Sequence, residues 1–149
     1  MRLRELFWPI LGNWAGMEEQ AASPWAPPAS TRAMLVLKLD VSDQVVLQDY
    51  RQVRADGSEF SAHGVFMLQP DSEQVLWWSF DSYAQPPAPA TGGWRDTGLH
   101  LDRTTPRGHE RHHFEVLGDE LHYRIDTRLT GAAELAPHLS GRYRRVSGH

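Results

Sequence analysis

Val45 to Arg54 reads VVLQDYRQVR, Asp56-Gly57 follows, and Phe60 to Leu68 reads FSAHGVFML. Asp-Gly between two runs rich in β-branched and aromatic residues is the strongest short hairpin signal, because glycine accepts the positive φ of tight turns. The same grammar extends in both directions. Upstream, Leu35, Leu37 and Leu39 alternate with Val36, Lys38 and Asp40, after a loop from Ala21 to Ser30 that holds three prolines. Downstream, Pro70-Asp71 turns the chain into the apolar run Val75 to Phe80. Pro86, Pro87, Pro89, Gly92 and Gly93 then mark a long loop leading to Trp94. Leu99 and Leu101 alternate with His100 and Asp102. Arg111 to Leu117 turns at Gly118-Asp119 into Leu121, Tyr123 and Ile125, and a last strand runs from about Leu139 to Val146. About eight to ten short strands joined in sequence leave no room for crossover helices. The expected fold is all-β: an antiparallel up-and-down barrel, a closure that removes exposed sheet edges, in a single domain over residues 1–149.

Ahead of the strands, Leu3, Leu6, Phe7, Ile10 and Leu11 recur at helical spacing, so one or two turns of helix present an apolar face there. Glu5 and Pro9 interrupt the apolar part, which argues against a signal peptide. The chain of 149 residues has no cysteine, which excludes disulfides, thiol catalysis and cysteine metal sites. A cytoplasmic location is the default expectation. Its net charge of −4 argues against a nucleic-acid partner, which would need a basic face. No apolar run approaches the roughly 18 residues of a membrane-spanning helix.

Gly12-x-Trp14, opening the first strand after a short helix, resembles the calycin superfamily of lipocalins, fatty-acid-binding proteins and nitrobindins. Gln48-Asp49-Tyr50-Arg51-Gln52, His63-Gly64-Val65-Phe66, Trp77-Trp78-Ser79-Phe80-Asp81 and Thr105-Pro106-Arg107-Gly108 resemble the blocks of a bacterial lipocalin-like family without settled activity. More distantly, Gly12, Trp14 and Gly16 are similar to the opening GxWxGxG of nitrobindins, with Glu18 in place of the last glycine. His138-Leu139, Tyr143, Arg144 and Arg145 resemble their C-terminal block. In nitrobindins the matching histidine ligates haem iron, so the resemblance implies His138 as a haem ligand and haem as a cofactor.

Alternation suggests which side chains face inward. Leu99 and Leu101 bring Arg103 and Thr105 with them; Phe114 and Val116 bring His112 and Glu110; Leu121, Tyr123 and Ile125 leave His122, Arg124, Asp126 and Arg128 outside. An inward Arg103 needs a carboxylate. That partner is either the anionic head of a ligand or an internal acid such as Glu110. Trp14, Trp77, Trp78 and Trp94 are candidate aromatic walls, although a tryptophan near the first strand also suits the closed end. Trp77 and Trp78 must point to opposite faces, as must Tyr50 and Arg51. Asp49 and Arg51 share a face and read as an exposed pair. His109, His112 and His113 invite a zinc reading, but a strand sends His112 opposite to the other two and places cationic Arg111 between them. Solvated histidines account for His109 and His113 better.

These features favour a non-enzymatic module that holds a small lipophilic or amphipathic molecule, with Trp14, Tyr50, Trp77, Arg103, His112 and Tyr123 as ligand-binding residues. A haem protein using His138, and a partner-binding or homo-oligomerising scaffold, are the alternatives. An acid–base enzyme built on Arg103, His112 and Glu110 ranks below these, because no nucleophile–base–orienter arrangement is legible. The segment from Tyr83 to Thr91 reads either as a lid over the mouth or as an idle loop.

Overall fold

A computed structural model describes residues 2–24 and 26–146. A short helix, α1 (Arg2–Phe7), runs into a 3-10 turn (Trp8–Ile10) and then into ten strands. These are β1 (Gly12–Gln20), β2 (Ala29–Asp40), β3 (Val45–Val53), β4 (Glu59–Leu68), β5 (Val75–Asp81), β6 (Ala90–Arg95), β7 (Gly98–Thr105), β8 (Gly108–Leu117), β9 (Glu120–Leu129) and β10 (Ala136–Arg145). Each strand pairs antiparallel with its sequence neighbour, and β1 pairs β10 from Trp14–Arg145 to Gln20–Leu139, closing the barrel. Closure leaves neither the first nor the last strand at a sheet edge, as the hairpin pattern predicts. No helix among the described residues is long and apolar enough to cross a membrane.

The Asp56-Gly57 turn forms as expected, with Gly57 N–H donating to the Arg54 carbonyl and Gly57 at φ +85°. The Asp56 carboxylate accepts from the Ser58 backbone N–H at 2.9 Å, which fixes the loop.

One end of the barrel is closed. Leu3, Phe7 and Ile10, spaced as one face of a helical turn, are buried in it, while Trp8 on the other face is exposed. The Phe7 ring lies 5.2 Å from Phe66 and edge-on to Trp94 at 5.9 Å. Trp14 is placed here, its Nε1–H donating to the Ile10 carbonyl at 2.9 Å. Arg145 stacks over the Trp14 ring at 4.3 Å and donates to the Leu11 and Pro9 carbonyls, tying the last strand to the plug. Gly12, at φ +124°, makes room for that guanidinium: a Cβ there would sit 2.8 Å from Arg145 Nη1.

Two readings of the strands are corrected. Gly92 and Gly93 belong to β6 and not to the loop before it. At Gly92 the neighbouring backbone comes so close that a Cβ would lie 1.8 Å from the His100 carbonyl oxygen, so glycine here serves sheet contact and not turn formation. The last strand begins at Ala136, which places His138 inside it and not ahead of it.

Candidate functional site

The half of the barrel away from the plug encloses a cavity of about 550 Å³. Leu35, Trp77, Phe114 and Ile125 supply apolar wall, while Arg103, Glu110, His112 and Tyr123 place polar groups on one side. The mouth is partly covered by the loop after β5, of which Tyr83 and Gln85 to Ala88 line the cavity. That loop leaves the sheet for a physical reason. β5 and β6 share register pairs only from Val75–Gly92 to Trp77–Ala90, and the prolines at 86, 87 and 89 have no N–H with which to continue a ladder. Tyr83 is held over the mouth by Arg54, which donates to its hydroxyl at 2.5 Å, and by Phe60, whose ring is 4.8 Å away.

Arg103 on β7 faces Glu110 on β8 as a direct register pair, and its Nε donates to Glu110 Oε1 at 2.8 Å. The internal acid is therefore the partner of Arg103 in this structure. Two residues along β8, His112 Nε2 lies 2.9 Å from the same oxygen, and His112 Nδ1 lies 2.6 Å from the Tyr123 hydroxyl on β9. Burial pushes the Tyr123 phenol well above its ordinary range, and the charges of Glu18 and Glu110 add to this. Burial pushes His112 down, outweighing the hydrogen bond and charge of Glu110, so the ring is neutral near pH 7. Burial alone would raise Glu110, but the hydrogen bond from His112 and the charge of Arg103 prevail and hold it at about 2. A carboxylate only accepts, so the neutral imidazole donates from Nε2 to Glu110 and accepts at Nδ1 from Tyr123. The structure thus links the phenol, imidazole and carboxylate that alternation places on the inner wall into one hydrogen-bonded chain, an order set by cross-strand register.

These shifts set an acid limit on the fold. His112 titrates below its ordinary 6.5 in the folded state, so the unfolded chain binds that proton first and stability falls as the pH drops below 6.5. The stability from Glu110 is complete above its ordinary 4.5 and is lost as pH falls through about 2. Urea midpoints measured from pH 7 to pH 2 should therefore decline in two stages. Glu110→Gln should flatten the lower stage; an unchanged profile would contradict this account.

Glu18 is the residue that sequence reading missed. Its side chain is fully buried, two positions beyond Gly16 on the face that carries Trp14. Tyr50 donates to one carboxylate oxygen and Tyr143 to the other, while Gln52 Nε2 donates to Oε1 at 3.0 Å. Both phenols are raised far above their ordinary range by burial and then by the Glu18 charge, so they remain donors. Gly141, opposite Glu18 on β10, leaves the space: a Cβ there would lie 3.0 Å from both Glu18 Cγ and the Tyr143 hydroxyl. Gly64 does the same for a second interior bond, Trp77 Nε1–H to Gln48 Oε1 at 3.0 Å; its Cβ would lie 2.2 Å from that oxygen.

Of the residues expected to contact a ligand, Tyr50, Trp77, Arg103, His112 and Tyr123 line this one cavity. Trp14 does not, because its hydrogen bond to Ile10 commits it to the plug. Trp77 is buried and its neighbour Trp78 faces outward, half-buried. His138 also lines the cavity. It is the extra residue of a bulge between the Pro137–Asp126 and Leu139–Ile125 pairs, and such a bulge re-aims a side chain. On the outer wall His109 pairs with Asp102 at 3.0 Å and His113 stacks on His100 at 4.3 Å. No group of three or more metal-ligating side chains occurs among the described residues. Asp49 pairs with His63 on β4 at 2.8 Å, which replaces the expected Asp49–Arg51 pair because the cross-strand neighbour lies directly opposite.

No protein-family model matches the chain, and no curated protein matches it. Among solved structures, the crystal structure of Rv2717c from M. tuberculosis is similar over 98% of this chain and 98% of that one, with a TM-score of 0.78 and 18% sequence identity. At that identity the likeness is one of fold: the chain is a closed antiparallel barrel of the same architecture.

Proposed function

We propose that the barrel is a calycin-type binding module for a small amphipathic molecule with an anionic head. The observation that carries this reading is the two-sided character of the cavity, with an aromatic and aliphatic wall facing an arginine. Arg103 uses Nε on Glu110, and its guanidinium lies 5.6 Å over the Trp77 ring. That edge-on pairing leaves the Nη groups, which suit a planar carboxylate or a sulfonate head. Leu35, Phe114 and Ile125 then receive the apolar body.

Anilinonaphthalene sulfonate, an amphipathic anion whose emission rises in apolar surroundings, tests this on the full chain. It should bind saturably at one site. Arg103→Gln should weaken it about tenfold, the loss of one charge-assisted hydrogen bond, and should leave an uncharged naphthylamine unaffected. Equal affinity of the variant and the parent for the sulfonate would contradict the anionic head.

A second reading has its own support. The His138 imidazole lies on the cavity wall at a bulge, and no side-chain hydrogen bond to it occurs among the described residues. It is the side chain that would hold haem iron, and haem would supply reversible binding of small diatomic ligands. Titration with hemin separates the two readings. A saturable Soret band lost in His138→Ala supports the haem reading; no such band leaves the organic anion.

A further inference from the structure

We propose that Tyr123 and His112 form a redox-active pair: the Tyr123 phenol gives one electron to a small inorganic radical in the cavity, reducing it to its anion, while its proton moves to His112 Nδ1. This does not rest on the ligand reading above; it needs only that the cavity admit the oxidant.

A phenol is hard to oxidise unless its proton has somewhere to go, because the radical cation is strongly acidic. Tyr123 is provided for. Its hydroxyl is 2.6 Å from Nδ1 of a buried imidazole, and that nitrogen carries no proton because Nε2 carries it toward Glu110. In the step the phenol O–H bond breaks and an Nδ1–H bond forms. Tyrosine is oxidised to a neutral phenoxyl radical, and the oxidant gains the electron. No proton leaves the network. The imidazolium that results keeps a hydrogen bond at each nitrogen, one to the phenoxyl oxygen and one to the Glu110 carboxylate. Arg103 holds that carboxylate ionised. Returning one electron reverses every movement.

Among the described residues the other interior aromatic groups lack this arrangement. Trp77 lies 4.8 Å from the His112 ring, but its N–H meets the Gln48 amide oxygen, a poor proton acceptor. Tyr50 and Tyr143 donate to Glu18, a carboxylate already held by three donors, and protonating it would undo the set. A hole formed on Trp77 therefore has a downhill route to Tyr123. The Tyr123 ring lines the cavity with Phe114 stacked on it at 4.4 Å, so an oxidant inside is in van der Waals reach.

Pulse radiolysis of the full chain with the azidyl radical, followed by transient absorption and freeze-quench EPR, tests the pair. The expected end point is a phenoxyl radical. Tyr123→Phe, which keeps ring shape and the Phe114 stack, should lower its yield about tenfold, and Tyr83→Phe at the exposed mouth should not. His112→Gln should slow formation about a hundredfold, because the amide can accept the hydrogen bond but not the proton. Fluorinated tyrosine placed at 123 should change the EPR line shape without removing the phenol. A phenoxyl yield unchanged in Tyr123→Phe, a rate unchanged in His112→Gln, or a signal that resides on Tyr83 would overturn the proposal.

Discussion

Phe7→Ala should destabilise the chain by about 3–5 kcal/mol, the cost of emptying a well-packed aromatic site. Phe7 is fully buried against Phe66 and Trp94, and the hole would sit where α1 closes the barrel. The plug is a single short turn of helix with no stability of its own, so its hold on the barrel comes from this side chain, from Leu3 and Ile10, and from the Arg145 clamp. For a chain of this size each kcal/mol moves the melting temperature by about 2–4 °C, so a fall of roughly ten degrees is expected. Trp8→Ala, one residue on but exposed, should change stability by no more than about 0.5 kcal/mol and serves as the internal control. Urea titrations of both variants give the comparison. Equal effects would mean that the plug is not part of the cooperative unit.

The second large effect is expected at Glu18. Glu18→Leu removes the acceptor for the buried Tyr143 hydroxyl and the half-buried Tyr50 hydroxyl and leaves both O–H donors unmet, at about 3 kcal/mol in sum. Gln52 and Tyr50 still meet each other at 3.3 Å, which limits the loss. Glu18→Gln keeps one acceptor and should cost about 1 kcal/mol. The informative variant is the double one: Tyr143→Phe added to Glu18→Leu should recover part of the loss, because deleting both partners removes the orphan. Strictly additive losses in that cycle would show that the carboxylate and the phenol are not coupled.

Glu18 also marks where sequence reading stops. Strand parity was legible: Trp14, Gly16 and Glu18 share a face, as do Val46, Gln48, Tyr50 and Gln52. What parity does not give is the partner across the barrel. Glu18 meets Tyr143 125 positions away, and Trp77 meets Gln48 29 positions away, contacts fixed by how the sheet closes and not by any local pattern. Polar side chains on an inward face look like solvated ones until closure brings them together. Strand ends at the mouth were short in the reading for a related reason. Gly108, His109 and Ala136 to His138 extend the ladder through residues with no apolar alternation to announce it. At His138 the bulge reverses parity, so period-two reasoning has no means of placing that side chain. By contrast, Arg103, His112 and Tyr123 lie on regular stretches of β7, β8 and β9, and alternation placed all three on the same inner wall.

On the function proposed above, the open half of the barrel holds an organic anion. Ala62 on β4 faces into that space, opposite Tyr50 in register and far from the plug. The most direct measurement is the affinity of Ala62→Trp for anilinonaphthalene sulfonate, taken beside its urea midpoint. The expected result is a fold that survives with its saturable binding abolished, because the indole occupies the volume the probe needs. Binding undiminished in a folded Ala62→Trp protein would place the probe elsewhere and contradict the assignment of this cavity as the site.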